Sequence, residues 1–264
     1  MPIHPTAIID PQAEIDVTAE IGPYVVIQGA VTIGARTQIG AHAVVLGPTK
    51  IGAENRIHAS AVIGDVPQDR SYKGEDSLVE IGDRNVIREF VQVHRGTQKG
   101  SVTRIGHDNF LMTHSHVAHN CTLGNNVVLA SGALLGGHVH VEDGAFISGN
   151  CVVHQYVRVG KLALMRGLSR TSRDVPPFCI ADGTHTVRGV NRIGLYRAGY
   201  TADQVRAIRK AFRQLFLRRG NLQERLNELE TEQLTEEVGY LIQFIRSSRR
   251  GVCRPPRSPS DADE

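Results

Sequence analysis

From Ile3 to Met165 the chain carries an aliphatic residue at every sixth position. The series opens Ile3, Ile9, Ile15, Ile21, Ile27, Ile33, Ile39 and is still running at Leu123, Leu129, Leu135, Val141 and Ile147. Of the 28 positions in this class, 25 are aliphatic; the exceptions are Asp69, Glu75 and Lys99. A period of six fits neither the 3.6-residue turn of a helix nor the two-residue alternation of a flat strand. It fits a short strand and a corner repeated around a prism. Three such units close one coil of eighteen residues, and stacked coils pair strand on strand at ~4.8 Å around a continuous aliphatic column.

Two further residue classes confirm the phase. Two positions before each aliphatic stands a small residue, as in Ala7, Ala13, Ala19, Thr37, Ala43, Ala61, Ala133, Ala145 and Ala163. These point inward where space is short. Cys121 and Cys151 fall in the same class and therefore read as core packers, the usual behaviour of free cysteine, with a catalytic thiol as the competing reading. The class holding Pro5, Pro11, Pro23, Gly29, Gly47, Gly137 and Gly149 marks an outer corner, because Pro and Gly supply turn geometry. His119 belongs to that corner class.

The period breaks twice, over residues 65–80 and 98–104, and each time returns in phase. Both breaks are polar and read as loops expelled from the prism, the places where binding groups tend to sit. Beyond the repeat the pattern turns helical. "TADQ" from Thr201 is a capping box, and Val205, Ile208, Phe212 and Leu215 share a face. Leu222, Leu226 and Leu229, then Val238, Leu241 and Ile245, predict one or two more helices. The expected organisation is a prism domain over 1–190, a helical domain over 191–248, and a Pro-rich, polar tail over 249–264 that predicts disorder.

Composition narrows the setting. Four cysteines are too few for a secreted disulfide framework, and the opening "MPIHPTAIID" lacks a basic and apolar leader, so a reducing, cytoplasmic location is expected. No apolar run reaches eighteen residues, which argues against a membrane span. A net charge of +3 is too small to imply nucleic acid.

The stretch "HSHVAHNC", residues 114–121, concentrates three histidines and a cysteine. An eighteen-residue coil stacks Gly137 on His119 and His138 on Asn120. Gly137 leaves room beside the imidazole and exposes a backbone N–H. A base next to a bare donor suits acyl transfer, the donor meeting the oxyanion of the tetrahedral transition state. An unperturbed imidazole, with a pKa of about 6.5, is mostly deprotonated yet still basic at neutral pH. Another corner column, Ser131, Gly149 and Gly167, carries almost no side chain and predicts a shallow groove for a hydrocarbon tail.

The hexads, "IGARTQ-IGAHAV" among them, resemble the hexapeptide-repeat proteins, whose fold is a left-handed parallel β-helix; the handedness is implied by that resemblance. The expected class is mainly β, with a C-terminal α-helical region. Gamma-class carbonic anhydrases hold zinc with histidines on this same architecture, and His114, His116, His138 and His140 form two His-x-His pairs here. Eighteen and thirty-six residues below His119, however, stand Ser101 and Asp83. No stacked histidine column is expected, and hence no metal. His42, His58 and His107 read as exposed corner or face histidines.

The runs "EIGDRNVIREFVQVHRGT", "HVAHNCTLGNN", "VHQY", "DVPPF" and "GVNRIGLYRAGYTADQVRAIRKAF" sharpen the likeness. They resemble the UDP-N-acetylglucosamine O-acyltransferases that begin lipid A synthesis. That resemblance implies transfer of a 3-hydroxyacyl group from acyl carrier protein to the glucosamine 3-hydroxyl of UDP-GlcNAc, within a homotrimer whose sites lie between subunits. No cofactor is implied beyond the phosphopantetheine that the carrier brings. His119 then matches the general base and Gly137 the oxyanion donor. His116, His138, His154 and Gln155 match substrate-pocket residues. Asp69, Asn191 and Arg197 match groups that hold the nucleotide sugar, and Gly149 and Gly167 the acyl groove, with position 167 limiting chain length.

Two positions depart from the family pattern. Asn120 stands where Asp often follows the catalytic histidine; its carbonyl can orient the ring but supplies no charge, which leaves the base weaker. Ser71 replaces a lysine two residues after Asp69, with Arg70 beside it as the substitute contact. On the first helix, Arg206, Arg209, Lys210, Arg213, Arg218 and Arg219 lie close together without an acid between them. Such a face would steer an acidic carrier protein, and an ordinary solvated face is the alternative. Acylation of a sugar amine, or a β-helix scaffold without catalysis, are the competing functional readings.

Overall fold

The computed structural model describes residues 3–218 and 220–256. Strands of two to four residues alternate with two-residue corners and stack into three sheets of nine, eight and ten strands, the faces of a triangular prism. The first face runs from Ile8–Ile9 to Arg170–Thr171, the second from Glu14–Ile15 to Arg158–Val159, and the third from Glu20–Ile21 to Leu164–Met165. Pairing is parallel, with Ile27 on Val45, Ile33 on Ile51 and Ile39 on Ile57, each eighteen residues on. At nearly every corner the second turn residue sits in the left-handed region, Asn120 at φ 60°, Asn126 at 56° and His138 at 59° among them. Asn and His are more tolerant of that conformation than most residues.

The sixth-position column is the core. Ile27, Ile33, Ile63, Ile87, Leu111, Leu123, Leu129, Leu135 and Ile147 are fully buried, and each contributes about 1.5–3 kcal/mol relative to an exposed side chain. Ala43, Ala61, Ala133, Ala145 and Ala163 fill the narrow positions beside them, together with Cys121 and Cys151. Burial pushes the Cys121 thiol up to about 12, and its Sγ donates to the carbonyl of Gly136 at 3.1 Å. An inert thiol of this kind is a packing group, not a nucleophile.

Both expelled loops leave the prism at the same edge, between the first and second faces. On the first face the offset between paired residues widens from eighteen to thirty at Val62 and Gln92, then to twenty-four at Gln92 and His116. Both loops are shifted from their sequence-derived bounds: strands Val62–Asp65 and Leu78–Ile81 bracket the first, and Gln92–His94 and Val102–Ile105 the second. At the His119 corner the offset changes within the turn: before it His116 rests on Gln92, twenty-four residues back, and after it Thr122 rests on Arg104, eighteen back.

An antiparallel pair, Cys179–Ala181 with Val187–Val190, ends the third face and leads into four helices. These are α1 Arg192–Arg197, α2 Ala202–Phe216, α3 Leu222–Glu230 and α4 Glu236–Arg246. The Thr201 and Gln204 capping box starts α2, and its face of Val205, Ile208, Phe212 and Leu215 is buried. Arg158 ties α4 to the prism: it donates to the buried Asp174 at 3.1 Å and to the Phe244 carbonyl at 2.8 Å, and lies 4.1 Å over the Phe244 ring. The expectation of disorder from residue 249 fails over its first part. Gly251 and Cys253 bracket Asp174 in main-chain hydrogen bonds, Arg254 pairs with Val187 and His185, and Val252 and Cys253 are buried. Backbone pairing holds this segment, and composition does not register it. Residues 257–264 of the expected tail lie outside the described residues.

Candidate active site

His119 stands at the corner between the first and second faces, where the chain passes from strand His116–Val117 to strand Thr122–Leu123. Gly137 stacks on it. A Cβ built on Gly137 would come within 2.3 Å of His119 Cε1 and 2.5 Å of Nε2, so only glycine leaves this ring in place. Among the described residues, the Gly137 N–H donates to no acceptor. The imidazole and a residue with an unspent peptide N–H are therefore in contact.

The tautomer of His119 follows from its neighbours. The Thr97 backbone N–H donates to Asn120 Oδ1 at 3.1 Å, and Thr97 Oγ1 donates to the same atom at 3.0 Å. That atom is thereby the carbonyl oxygen. His119 Nδ1 lies 2.9 Å from it and must bring the proton. Nε2 is left as the unprotonated nitrogen, the form a general base requires. Thr97 comes from the second loop, which has no period to announce it.

His119 is only 8% exposed, against the expectation of an outward corner. The cover is polar: the first loop brings the Asp69 carboxylate to 3.6 Å from Nε2. A backbone hydrogen bond from Ser71 holds the Asp69 carboxyl below its ordinary range, with the Ser71 side chain and the nearby His119 and His138 adding to the effect. An ionised carboxylate at that place favours the imidazolium that forms as the base takes a proton. Two neighbouring histidines are shifted toward the neutral form. Burial pushes His116 down to about 4 and lowers His138 as well. His138 stacks on Tyr156 at 4.5 Å and meets His119 edge-on at 5.3 Å, while His94 packs edge-on against His116 at 5.1 Å. Tyr156 lies one coil above His138 and was within reach of the stacking rule; His94 was hidden by the inserted loop. Among the described residues no group of three or more His, Cys, Asp or Glu is placed to hold a metal ion.

Residues 174–253 match the family model described as UDP-N-acetylglucosamine O-acyltransferase, domain 2, and residues 30–65 and 103–137 match the bacterial transferase hexapeptide model. The acyl-carrier-protein-dependent UDP-N-acetylglucosamine O-acyltransferase of Janthinobacterium sp. (strain Marseille) is 44% identical over 259 residues, covering 96% of this chain and 99% of its own. The chain belongs to the UDP-N-acetylglucosamine O-acyltransferase family. Its counterpart in Anaeromyxobacter dehalogenans (strain 2CP-1 / ATCC BAA-258) is 43% identical over 96% of this chain and 100% of its own. Among solved structures, the acyltransferases of Francisella novicida and Bacteroides fragilis superpose with a TM-score of 0.93 each. They are 36% and 39% identical, covering 98% and 96% of this chain and 96% and 100% of theirs. The prism is thus the left-handed parallel β-helix of this acyltransferase family, followed by its helical C-terminal region.

Of the residues that the family resemblance marks, one chain gathers His119, Gly137, Asn120, His116, His138 and Asp69 at one edge. His154 and Gln155 follow one coil above Gly136 and Gly137, exposed. Arg70 is exposed beside Asp69, and its contact is through its carbonyl, which accepts from Lys73. The rest lie elsewhere. Asn191 and Arg197 line an open cleft of about 1200 Å³ against Phe146, Leu164 and Ile180 of the third face, the face opposite the His119 edge. Asn191 is also the N-cap of α1, accepting from the Gly194 N–H at 3.1 Å and donating to the Leu162 carbonyl at 2.9 Å. Ser131, Gly149 and Gly167 run along the edge between the third and first faces, where a Cβ on Gly167 would find its nearest neighbour at 3.6 Å.

On α2, Arg206, Arg209, Lys210 and Arg213 line a shallow hollow with Gln214. Their charge is partly compensated from outside the run: Arg206 pairs with Asp203, Lys210 with Glu232 at 2.6 Å and Arg218 with Glu228 at 2.9 Å. Arg209 and Arg213 have no ion pair among the described residues. Arg219 lies outside the described residues.

Proposed function

We propose that the chain transfers a 3-hydroxyacyl group from acyl carrier protein to the glucosamine 3-hydroxyl of UDP-GlcNAc, the opening step of lipid A synthesis. The observation that carries this reading is the contact between His119 and Gly137, a base of fixed tautomer beside an unspent N–H. His119 Nε2 takes the 3-hydroxyl proton as that oxygen attacks the thioester carbonyl, and Asp69 stabilises the resulting imidazolium. The Gly137 N–H receives the oxyanion. On collapse the carbon–sulfur bond breaks, and the phosphopantetheine thiolate takes the proton back from His119, so no covalent enzyme intermediate and no metal or cofactor is called on.

A homotrimer accounts for the division of residues among edges. A single prism keeps its sugar-holding cleft and its bare acyl column away from its own His119, and a neighbouring prism can bring both to it. Arg209 and Arg213 would meet the acidic carrier. No helix among the described residues is long and apolar enough to cross a membrane, which fits a reaction on soluble substrates in the cytoplasm. The test is incubation of the purified protein with UDP-GlcNAc and a mixed set of hydroxyacyl carrier thioesters, with products read by mass. A single O-acylated nucleotide sugar is expected. Product only with a 3-amino sugar analogue would favour N-acylation, and none with any donor, from folded protein, would leave a scaffold.

A further inference from the structure

Arg250 and Arg158 are both arginines against the last coils, and they are held in opposite ways. Arg158 is saturated, with a carboxylate, a hydroxyl, a carbonyl and an aromatic face as partners. Arg250 has one firm bond, from Nε to the Ser172 carbonyl at 2.9 Å. Among the described residues its Nη2 has a single hydrogen-bond contact, His154 Nδ1 at 3.4 Å, and no carboxylate lies within 4.0 Å of the guanidinium. His154 Nδ1 also lies 3.2 Å from the Gln155 carbonyl. That carbonyl can only accept and the guanidinium can only donate, so the ring serves one of them at a time.

The open fork is nevertheless fixed in place. Gly251 and Cys253 pair with Asp174 on both sides, and Val252 and Cys253 are buried. Arg250 is half-buried at the root of this strap. His154 and Gln155 continue the His119 and Gly137 edge upward, at ~4.8 Å per coil. A preorganised guanidinium whose Nη1 and remaining Nη2 N–H groups have no acceptor among the described residues is matched to a contact with phosphate oxygens.

We propose that Arg250, with His154 beside it, is a phosphate-recognising residue at the head of the catalytic edge, contacting a phosphate carried by one of the two substrates. This rests on the acyl transfer reading above. Both substrates carry the chemistry: the donor has the phosphodiester at the end of its pantetheine arm, the acceptor its diphosphate.

The experiment compares wild type with Arg250→Gln and Arg250→Lys, using hydroxyacyl-phosphopantetheine and hydroxyacyl-pantetheine as donors, with UDP-GlcNAc varied separately. Wild-type turnover tests the acyl transfer reading by itself. If the donor phosphate is the ligand, Arg250→Gln raises KM for the phosphorylated donor about tenfold. The preference for the phosphorylated over the phosphate-free donor then collapses toward one, and Arg250→Lys keeps part of it. If the diphosphate is the ligand, the tenfold rise appears in KM for UDP-GlcNAc instead. An unchanged donor preference together with an unchanged UDP-GlcNAc KM overturns the proposal. Should wild type not turn over, calorimetry with phosphopantetheine and with UDP decides, and equal affinities for wild type and Arg250→Gln overturn it.

Discussion

Two of the prism's three corner columns, built on the same backbone turn, treat the turn's N–H in opposite ways. Along the edge between the second and third faces, four consecutive corners are capped by a side chain from the next coil. The Ala53 N–H donates to Asp83 Oδ1 at 2.7 Å, Asp83 to His107 Nδ1 at 2.9 Å, His107 to Asn125 Oδ1 at 2.8 Å and Asn125 to Asp143 Oδ1 at 2.7 Å. Along the edge between the first and second faces, Gly137 has an N–H with no such cap. The spare donor is thus a by-product of turning the corner. A ladder of short polar side chains spends it at one edge, and at the other a glycine and a histidine leave it for a reacting oxygen.

Replacing the histidine breaks this comparison most severely. His119→Ala should lower turnover by ~10²–10⁴ while leaving the melting temperature within a few degrees of wild type; near-normal turnover would remove His119 from the mechanism. A smaller effect is expected at the third edge. Gly167→Met has room for its Cβ and should fold, moving donor preference toward shorter acyl chains by about tenfold in relative kcat/KM. An unchanged donor profile would place the tail elsewhere. On the capped edge, Asn125→Ala removes the acceptor of an exposed N–H and should cost about 1 kcal/mol of unfolding free energy, read from denaturant titration, with turnover retained.

A pH effect separates the edges further. Burial holds His116 at about 4 in the folded chain, from an ordinary value of 6.5. The unfolded chain therefore binds the extra proton first as pH falls from about 6.5 toward 4, and stability drops through that window, its full value being present above it. Urea midpoints across the window should show the drop in wild type and a shallower one in His116→Phe.

What could be read from the chain and what could not divide along the same line. The sixth-position column, the inward cysteines and the stacking of Gly137 on His119 follow from a local period, and the α2 cap from a four-residue motif; both are written in the sequence. The cover over His119 is not, because Asp69 arrives by a loop whose path is set by contacts such as Gly100 with Asp76 and Ser77 with Gly96. Thr97 was missed for the same reason. The stacking rule also left His94 away from His116, since an expelled loop changes the count without changing the phase. The tail strap escaped because it is held by main-chain hydrogen bonds, to which side-chain composition is blind.

The most direct measurement of the pairing of imidazole with N–H is the turnover of Gly137→Ala beside that of Gly149→Ala. A methyl at 137 lands 2.3 Å from the His119 ring, whereas one at 149 meets a carbonyl oxygen at 3.3 Å. The ring is the mobile end of a side chain, so both variants should fold with melting temperatures near wild type. Alanine keeps the N–H but pushes the imidazole away from it, so turnover of Gly137→Ala should fall by ~10²–10⁴, the scale of a lost general base, and Gly149→Ala should stay within a few-fold. Wild-type turnover with alanine at 137 would show that the reaction does not run between that N–H and that imidazole.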